Sequence, residues 1–416
     1  MVEPRTLQAP ASIGACMAGL AIEDAVTVLH GGAGCDIKLH TLLRHHNPTG
    51  AVHHRVVCTK IAESDLVLNP GQVLSRAALD IARRNRARMV LVTAASFIEV
   101  AGIDRERVVE EIEEVLGLPC VYAYAPDFKG DLFDGYARAT TEIVRRLLRE
   151  SPERAERADR VNIVGYVHDR PLWDHSGNLA ELRSLLRAIG LAVNAVVLDG
   201  SPVSALTDLR AADYVLAFPL GRDAAKLLAT EAGQKRIDCP LPIGMQATAA
   251  FLSVVGQATG RDVKGVMADL EERTRRMLRM VIEPLVGKRV ALFSDGQKVA
   301  GLAGLCRDLS MRPVLAGILD NRAGLVPEDI LDGVEVLKDP GQPTCLARIS
   351  ELARKREVDL VIGPAWEVAT ARRAGLAAVE FGFPCKVWQP LHHCPYMGYE
   401  GVLAMASRVL EALRDR

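Results

Sequence analysis

Aromatic side chains are scarce in this 416-residue chain, at 4%. That disfavours an aromatic-rich β-sandwich, and the abundance of Ala, Leu, Val and Gly favours an α/β architecture. Neither sign of charge is in excess: 51 basic side chains stand against 52 acidic ones. Nothing therefore points to nucleic acid or a membrane surface as partner. No run of eighteen uncharged apolar residues occurs, so no spanning helix is expected. The start, MVEPRTLQAP, has no apolar core behind a basic end, so no secretory leader is expected. The chain has no G-x-x-x-x-G-K-[ST] loop to cradle ATP phosphates. It has no G-x-G-x-x-G after a strand for a dinucleotide, and no G-x-S-x-G elbow. Its nine cysteines are scattered without a C-x-x-C. That argues against a self-contained zinc or ferredoxin-type site, and for reduced thiols in the cytosol.

What is present is a strand–helix alternation that recurs three times. The length exceeds one ordinary core. The expected division is an N-terminal domain at 1–155, a middle domain at 156–285 and a C-terminal domain at 286–416. Each is read as a Rossmann-like, doubly wound parallel sheet. In the first, Asp65-Leu66-Val67-Leu68 reads as a short strand before an Asn69-Pro70-Gly71 turn. Leu74–Arg84 reads as an amphipathic helix and Met89–Thr93 as a buried parallel strand. Helix 105–116, strand Cys120–Tyr124 and a long helix near 132–149 follow. A charged linker, SPERAERADR at 151–160, leads to the second unit. There the pattern predicts strands at 161–165, 191–198 and 214–217 and helices at 178–189 and 222–232. The third unit has predicted strands at 289–293, 312–318, 359–363 and 376–380. Residues 384–400 read as irregular, and a last helix covers about 401–413.

The stretch with the most chemistry is His30-Gly31-Gly32-Ala33-Gly34-Cys35. Apolar residues recur at helical spacing from Ala15 to Leu29, and Gly31-Gly32 reads as the stop of that helix. Gly34-Cys35 opens a second helical stretch. The Cys35 thiol then sits in a glycine turn at a helix start, where amides and the helix dipole favour an anionic metal ligand. Gly31, Gly32 and Gly34 allow a bulky inorganic group to approach the backbone. The plainer reading is a capped helix followed by a small buried cysteine. Six of the ten histidines lie between His30 and His54. They lack the spacing that sets two ligands on one helix face, and are read as solvated or hydrogen-bonded.

Several motifs, in order, resemble the nitrogenase component 1 superfamily over nearly the whole chain. They are Ser12-Ile13-Gly14-Ala15, Gly19–Asp24, the His30–Cys35 turn, Glu63–Leu68 and Thr93–Asp104. Ala125-Pro126-Asp127-Phe128-Lys129-Gly130, Leu241-Pro242-Ile243-Gly244, Gly382-Phe383-Pro384 and Gly398–Gly401 follow. The resemblance implies three Rossmann-like domains. It also implies pairing of α- and β-type chains, usually as α2β2, and an iron–sulfur cluster between them. The resemblance implies that this cluster is P-cluster-like or [4Fe-4S]. Electrons would come from a separate ATP-hydrolysing iron protein, which fits the missing phosphate loop.

The departures from the family pattern carry information. Of three cysteines that nitrogenase chains supply, Cys35 matches the middle one. The first falls at about Pro10 and the third at Ser96. Cys16 and Cys58 do not align, yet either is able to substitute. A serine that ligates in nitrogenase β chains is Asp127 here. Its carboxylate either ligates iron or serves as a helix cap or Asx-turn. Cys239 lies in β-like context, so the chain is read as β-type. Cys120, Cys306 and Cys345 read as core. Cys385 and Cys394, with His392 and His393, lie in the C-terminal loop. The segment His45-His46-Asn47-Pro48-Thr49-Gly50 departs from the usual His-Phe-Arg-Glu-Pro, and the tetrapyrrole reductase signature is not evident. Among the family's branches this points to methylthio-alkane reductase, which cleaves C–S bonds reductively. The alternative is a scaffold on which the nitrogenase cofactor is assembled. A β-like scaffold chain also keeps a single cysteine at this position.

Overall fold

The computed structural model describes residues 9–46, 53–68, 70–153, 159–170 and 172–414. The expectations on residues 1–8, on 47–50, on Asn69 and on the middle of the charged linker fall outside the described residues.

The first sheet begins after helix α1 (Ala11–Leu20), whose ten residues are all buried. Strand β1 (Ala25–His30), helix α2 (Ala33–His46) and strand β2 (Val56–Cys58) follow. Then come α3 (Glu63–Leu68), α4 (Pro70–Asn85), β3 (Met89–Ala94), α5 (Ser96–Ala101), α6 (Arg105–Leu116), β4 (Cys120–Tyr122) and α7 (Leu132–Glu150). The order across the sheet is β2-β1-β3-β4, and every pairing is parallel. β1 and β3 are buried along their whole length, as strands covered by helices on both faces must be. On one face Val26, Val28, Val90 and Val92 pack with Leu74, Ala78 and Ile81 of α4 and with Val108 and Ile112 of α6. α1 and α7 pack together.

The second sheet holds β5 (Arg160–Val164), β6 (Ala192–Val196), β7 (Tyr214–Ala217) and, after helix α9 (Arg222–Ala232), β8 (Lys235–Asp238). Its order is β6-β5-β7-β8, again parallel. Helix α8 (Trp173–Ala188) lies between β5 and β6 in sequence. The third sheet follows α10 (Met245–Thr259) and α11 (Lys264–Arg279). It is made of β9 (Arg289–Ser294), β10 (Arg312–Ile318), β11 (Glu335–Lys338), β12 (Leu360–Gly363) and β13 (Ala377–Glu380). Helices α12 (Gly296–Asp308), α13 (Gln342–Lys355), α14 (Ala365–Arg373) and α15 (Gly398–Arg414) complete it. The strand order β11-β10-β9-β12-β13 is the doubly wound order, with the chain turning from one side to the other between β9 and β12. The three parallel sheets agree with the expected fold class.

Two compact units emerge. One contains the first two sheets without α8. The other contains α8 and the chain from Cys239 onward, with the third sheet at its centre. Within the latter, α8 packs on α15. Among the described residues no helix is long and apolar enough to cross a membrane.

Two expectations on local structure are corrected. The run from Ala15 to Leu29 is a helix only as far as Leu20; Ala25–His30 is strand β1. A fully buried helix has no polar face to mark its period, and the β-branched Val26, Thr27 and Val28 suit a central strand. Asp65–Leu68 is the end of helix α3, not a strand. A four-residue apolar run does not distinguish the two. Glu63 and Asp65 occupy the first turn of α3, where acidic side chains complement the dipole. Strands β8 and β11 carry no apolar run, and their pattern of partial exposure explains why no signal marks them.

Candidate metal centre

The carboxyl ends of β1, β2, β3 and β4 converge on the glycine turn. His30 ends β1, and Gly31-Gly32 leads into α2, with Cys35 in its first turn. The Cys35 amide donates to the Gly32 carbonyl at 3.0 Å. The turn lies between β1 and β3, where the chain changes sides of the sheet. Open α/β sheets bind ligands at that point.

The three glycines differ in role. A Cβ on Gly31 would lie 3.1 Å from the Cys35 Sγ and 3.3 Å from Ala95 Cβ, so any side chain there would push against the thiol. A Cβ on Gly32 would meet only the Phe97 ring, at 3.9 Å, and one on Gly34 would meet nothing within 4 Å. The helix start therefore has open room beside it. Cys35 is half-buried, packed against Ile61, Ala94, Ala95 and Ile98.

Cys58, the last residue of β2, is brought opposite Leu29 by the β1–β2 register. It is buried, and its thiol reaches the Gly31 and Gly32 carbonyls at 3.5 Å each. Burial above all pushes that thiol up to about 11, and the nearby Cys35 adds to the rise. Cys16, inside α1, is fully buried and pushed far above the ordinary thiol range by desolvation, with Cys58 and Asp127 as lesser causes. A neutral, enclosed thiol of that kind is a core residue rather than an open ligand. His30 is buried too, and burial lowers it to about 4, so its ring is neutral.

Ser96 and Asp127 meet although 31 positions apart. The Asp127 amide donates to the Ser96 hydroxyl at 2.9 Å, and the Asp127 carboxylate accepts the Ser12 amide at 3.1 Å. Asp127 does not cap the helix near 132. Asp131 does, through a reciprocal capping box with Asp134. Asp127 instead takes the place of a missing cap on α1, whose N-cap residue, Pro10, offers no side-chain bond. On the neighbouring segments, Ile37 of α2 is 68% exposed, Phe97 and Val100 of α5 are 45% and 76% exposed, and Phe128 is 60% exposed. These apolar side chains face solvent.

The remaining sequence candidates lie elsewhere. His40 pairs with Asp36 at 3.3 Å and His46 with Asp169 at 3.4 Å. Cys120 and Cys345 belong to the cores of the first and third sheets, and Cys306 is buried in α12. Cys385 and Cys394 are buried, and the His393 ring lies tilted against Trp173, with centroids 4.9 Å apart. Among the described residues no three His, Cys, Asp or Glu side chains are grouped to hold a metal by themselves. The donor chemistry at the turn is one accessible thiol in an open cradle, a buried thiol behind it, and a carboxylate and hydroxyl beside it. This set fits part of an iron–sulfur site, whose remaining ligands would have to come from outside the chain.

A family model described as Nitrogenase component 1 type Oxidoreductase matches residues 10–414. The chain belongs to that family. It is 22% identical over 440 residues to the nitrogenase iron-iron protein beta chain of Rhodobacter capsulatus, covering 96% of this chain and 91% of that one. It is 26% identical over 431 residues to a subunit of the light-independent protochlorophyllide reductase of Methylobacterium sp. (strain 4-46), covering 98% and 80%. The nitrogenase iron-molybdenum cofactor biosynthesis protein NifN of Bradyrhizobium diazoefficiens is 22% identical over 443 residues, covering 100% and 90%. Among solved structures, "Nitrogenase Cp1 at pH 6.5" superposes with a TM-score of 0.82 at 20% identity, covering 100% of this chain and 95% of that one. This chain is a beta-type member of the nitrogenase component 1 superfamily. The relatives include subunits of nitrogenase and of protochlorophyllide reductase, and a cofactor biosynthesis protein.

Proposed function

We propose that this chain is the β-type half of a cytoplasmic nitrogenase-like iron–sulfur reductase. It pairs with an α-type chain, as α2β2, and Cys35 holds this chain's side of a P-cluster-like or [4Fe-4S] relay cluster. One observation carries the reading: Cys35 is half-buried in an open glycine cradle, and Ile37, Phe97, Val100 and Phe128 on the adjoining segments are exposed. A patch of that kind marks a protein interface. The α-type chain covers it and brings the missing ligands. Cys58 is the second thiol able to join, by giving up its long contacts to the turn carbonyls; Ser96 and Asp127 line the same wall. Bound there, the cluster supplies one-electron redox chemistry. The chain's own part is to orient Cys35, to exclude water, and to leave Gly32 and Gly34 free of side chains.

The reaction we assign is reductive cleavage of a methylthio-alkane. Two electrons and two protons convert R–S–CH3 into R–H and methanethiol, the electrons coming from a separate ATP-hydrolysing iron protein. The test is turnover by the anaerobically purified complex with iron protein, ATP and a strong reductant, following methanethiol, hydrocarbon and ammonia. Methanethiol over many turnovers is expected. The kinship with NifN favours a second reading, an assembly scaffold. No turnover, with an iron cluster that transfers to an apo-nitrogenase and activates it, would establish that reading instead.

A further inference from the structure

Glycine turns admit a bulky group, but they are also the segments that rotate most freely. The Cys35 turn therefore needs an external brace, and the residues just after β2 supply one. The ladder between β1 and β2 continues beyond Cys58: the Thr59 amide donates to the Leu29 carbonyl at 3.1 Å, and the Ile61 amide to the Gly31 carbonyl at 2.9 Å. Three consecutive side chains then reach the turn. The Cys58 thiol points at the Gly31 and Gly32 carbonyls. The Lys60 Nζ pairs with Asp36, the residue after Cys35, at 3.0 Å. Between them, the Thr59 hydroxyl accepts the Gly31 amide at 3.0 Å, and lies 3.2 Å from the Gly31 carbonyl and 2.9 Å from His30 Nδ1. Lys60 keeps a left-handed φ of 53° to allow this wrap, a conformation that persists only where the surroundings over-determine it.

We propose that Thr59 is a positioning residue for the metal centre, its single hydroxyl pinning the Gly31 peptide and so fixing where the Cys35 Sγ points. The link is short: a Cβ added to Gly31 would lie 3.1 Å from that sulfur, so the bare Gly31 backbone is the surface beside the thiol. Rotation of the Gly31 peptide changes that surface. A supporting hydroxyl of this kind acts through the ligand it orients. The inference rests on the reading of Cys35 as the cluster ligand.

The experiment compares Thr59→Val, Thr59→Ala, Thr59→Ser and Cys35→Ala in the anaerobic complex with the α-type chain. The readouts are amide exchange over Gly31–Cys35, the paramagnetic resonance line shape, the midpoint potential and the iron content. Thr59→Val and Thr59→Ala are expected to raise exchange at least tenfold, broaden the resonance and shorten iron retention several-fold. Thr59→Ser restores the hydroxyl and stays within twofold of the parent on each. Two results overturn the Thr59 assignment alone. One is parental exchange and spectrum in both hydroxyl-free variants while Cys35→Ala loses its iron. The other is a Ser variant as impaired as Val and Ala, which would mean that packing of the methyl mattered rather than the hydroxyl. Full iron retention in Cys35→Ala removes the ligand assignment, and this inference with it.

Discussion

The Asp127 carboxylate accepts the Ser12 backbone amide at 3.1 Å, across 115 positions of sequence. One side chain thereby satisfies an otherwise orphaned amide at the start of α1. The loop after β4 and the first buried helix are tied at the point where the glycine turn, Ser96 and Cys58 gather.

Removing that tie has a measurable cost. Asp127→Ala is expected to destabilise the fold by about 1–2 kcal/mol, the usual loss for a helix cap, while Asp127→Asn, whose side-chain oxygen still accepts the amide, should cost under about 0.5 kcal/mol. Anaerobic denaturant titration of the complex checks it. Equal stability of the Ala variant and the parent would mean that the contact is not a cap.

The glycines divide into those that the fold needs and those that the site needs. A Cβ on Gly14 would lie 1.7 Å from the Leu132 carbonyl oxygen of α7, and one on Gly135 would lie 1.8 Å from that of Ala11. Gly14→Ala should therefore force α1 and α7 apart, at a cost of about 3 kcal/mol or more. Gly34→Ala faces open space and should be neutral, or stabilising by up to about 1 kcal/mol from helix propensity. It should still lower the bound iron, because its methyl occupies the cradle. Melting temperature and iron content separate the two. A Gly34→Ala complex with full iron would place the open room away from the cluster.

Glu367 gives stability a pH dependence. It is buried in the first turn of α14, and desolvation raises it from 4.5 to about 7. Between those two values the folded chain holds a proton that the unfolded chain has released, so stability falls as pH rises through this window. Glu367→Gln removes the effect. The variant should exceed the parent by about 3 kcal/mol at pH 8 and nearly match it at pH 4.5. Thermal melts at the two pH values test this, and a constant difference across pH would refute it.

Much of this protein was determined locally. Helices 105–116 and 222–232 and strand 312–318 have the bounds that their periodicity predicts. Cys35 stands at a helix start because a glycine turn interrupts the chain there. Open space around Cys35, and the exposed Phe97 and Phe128, required the tertiary structure. So did the approach of Cys58 and Thr59 to Gly31, which no spacing of 27 or 28 residues announces. That approach follows from the parallel pairing of Leu29 with Cys58. The same physics hid β8 and β11, whose pairing is supplied by neighbouring backbone rather than by an apolar pattern of their own. Local sequence sets turns and periods because they depend on neighbours a few bonds away. Which side chains share a site is decided by strand register, and register is a property of two distant segments at once.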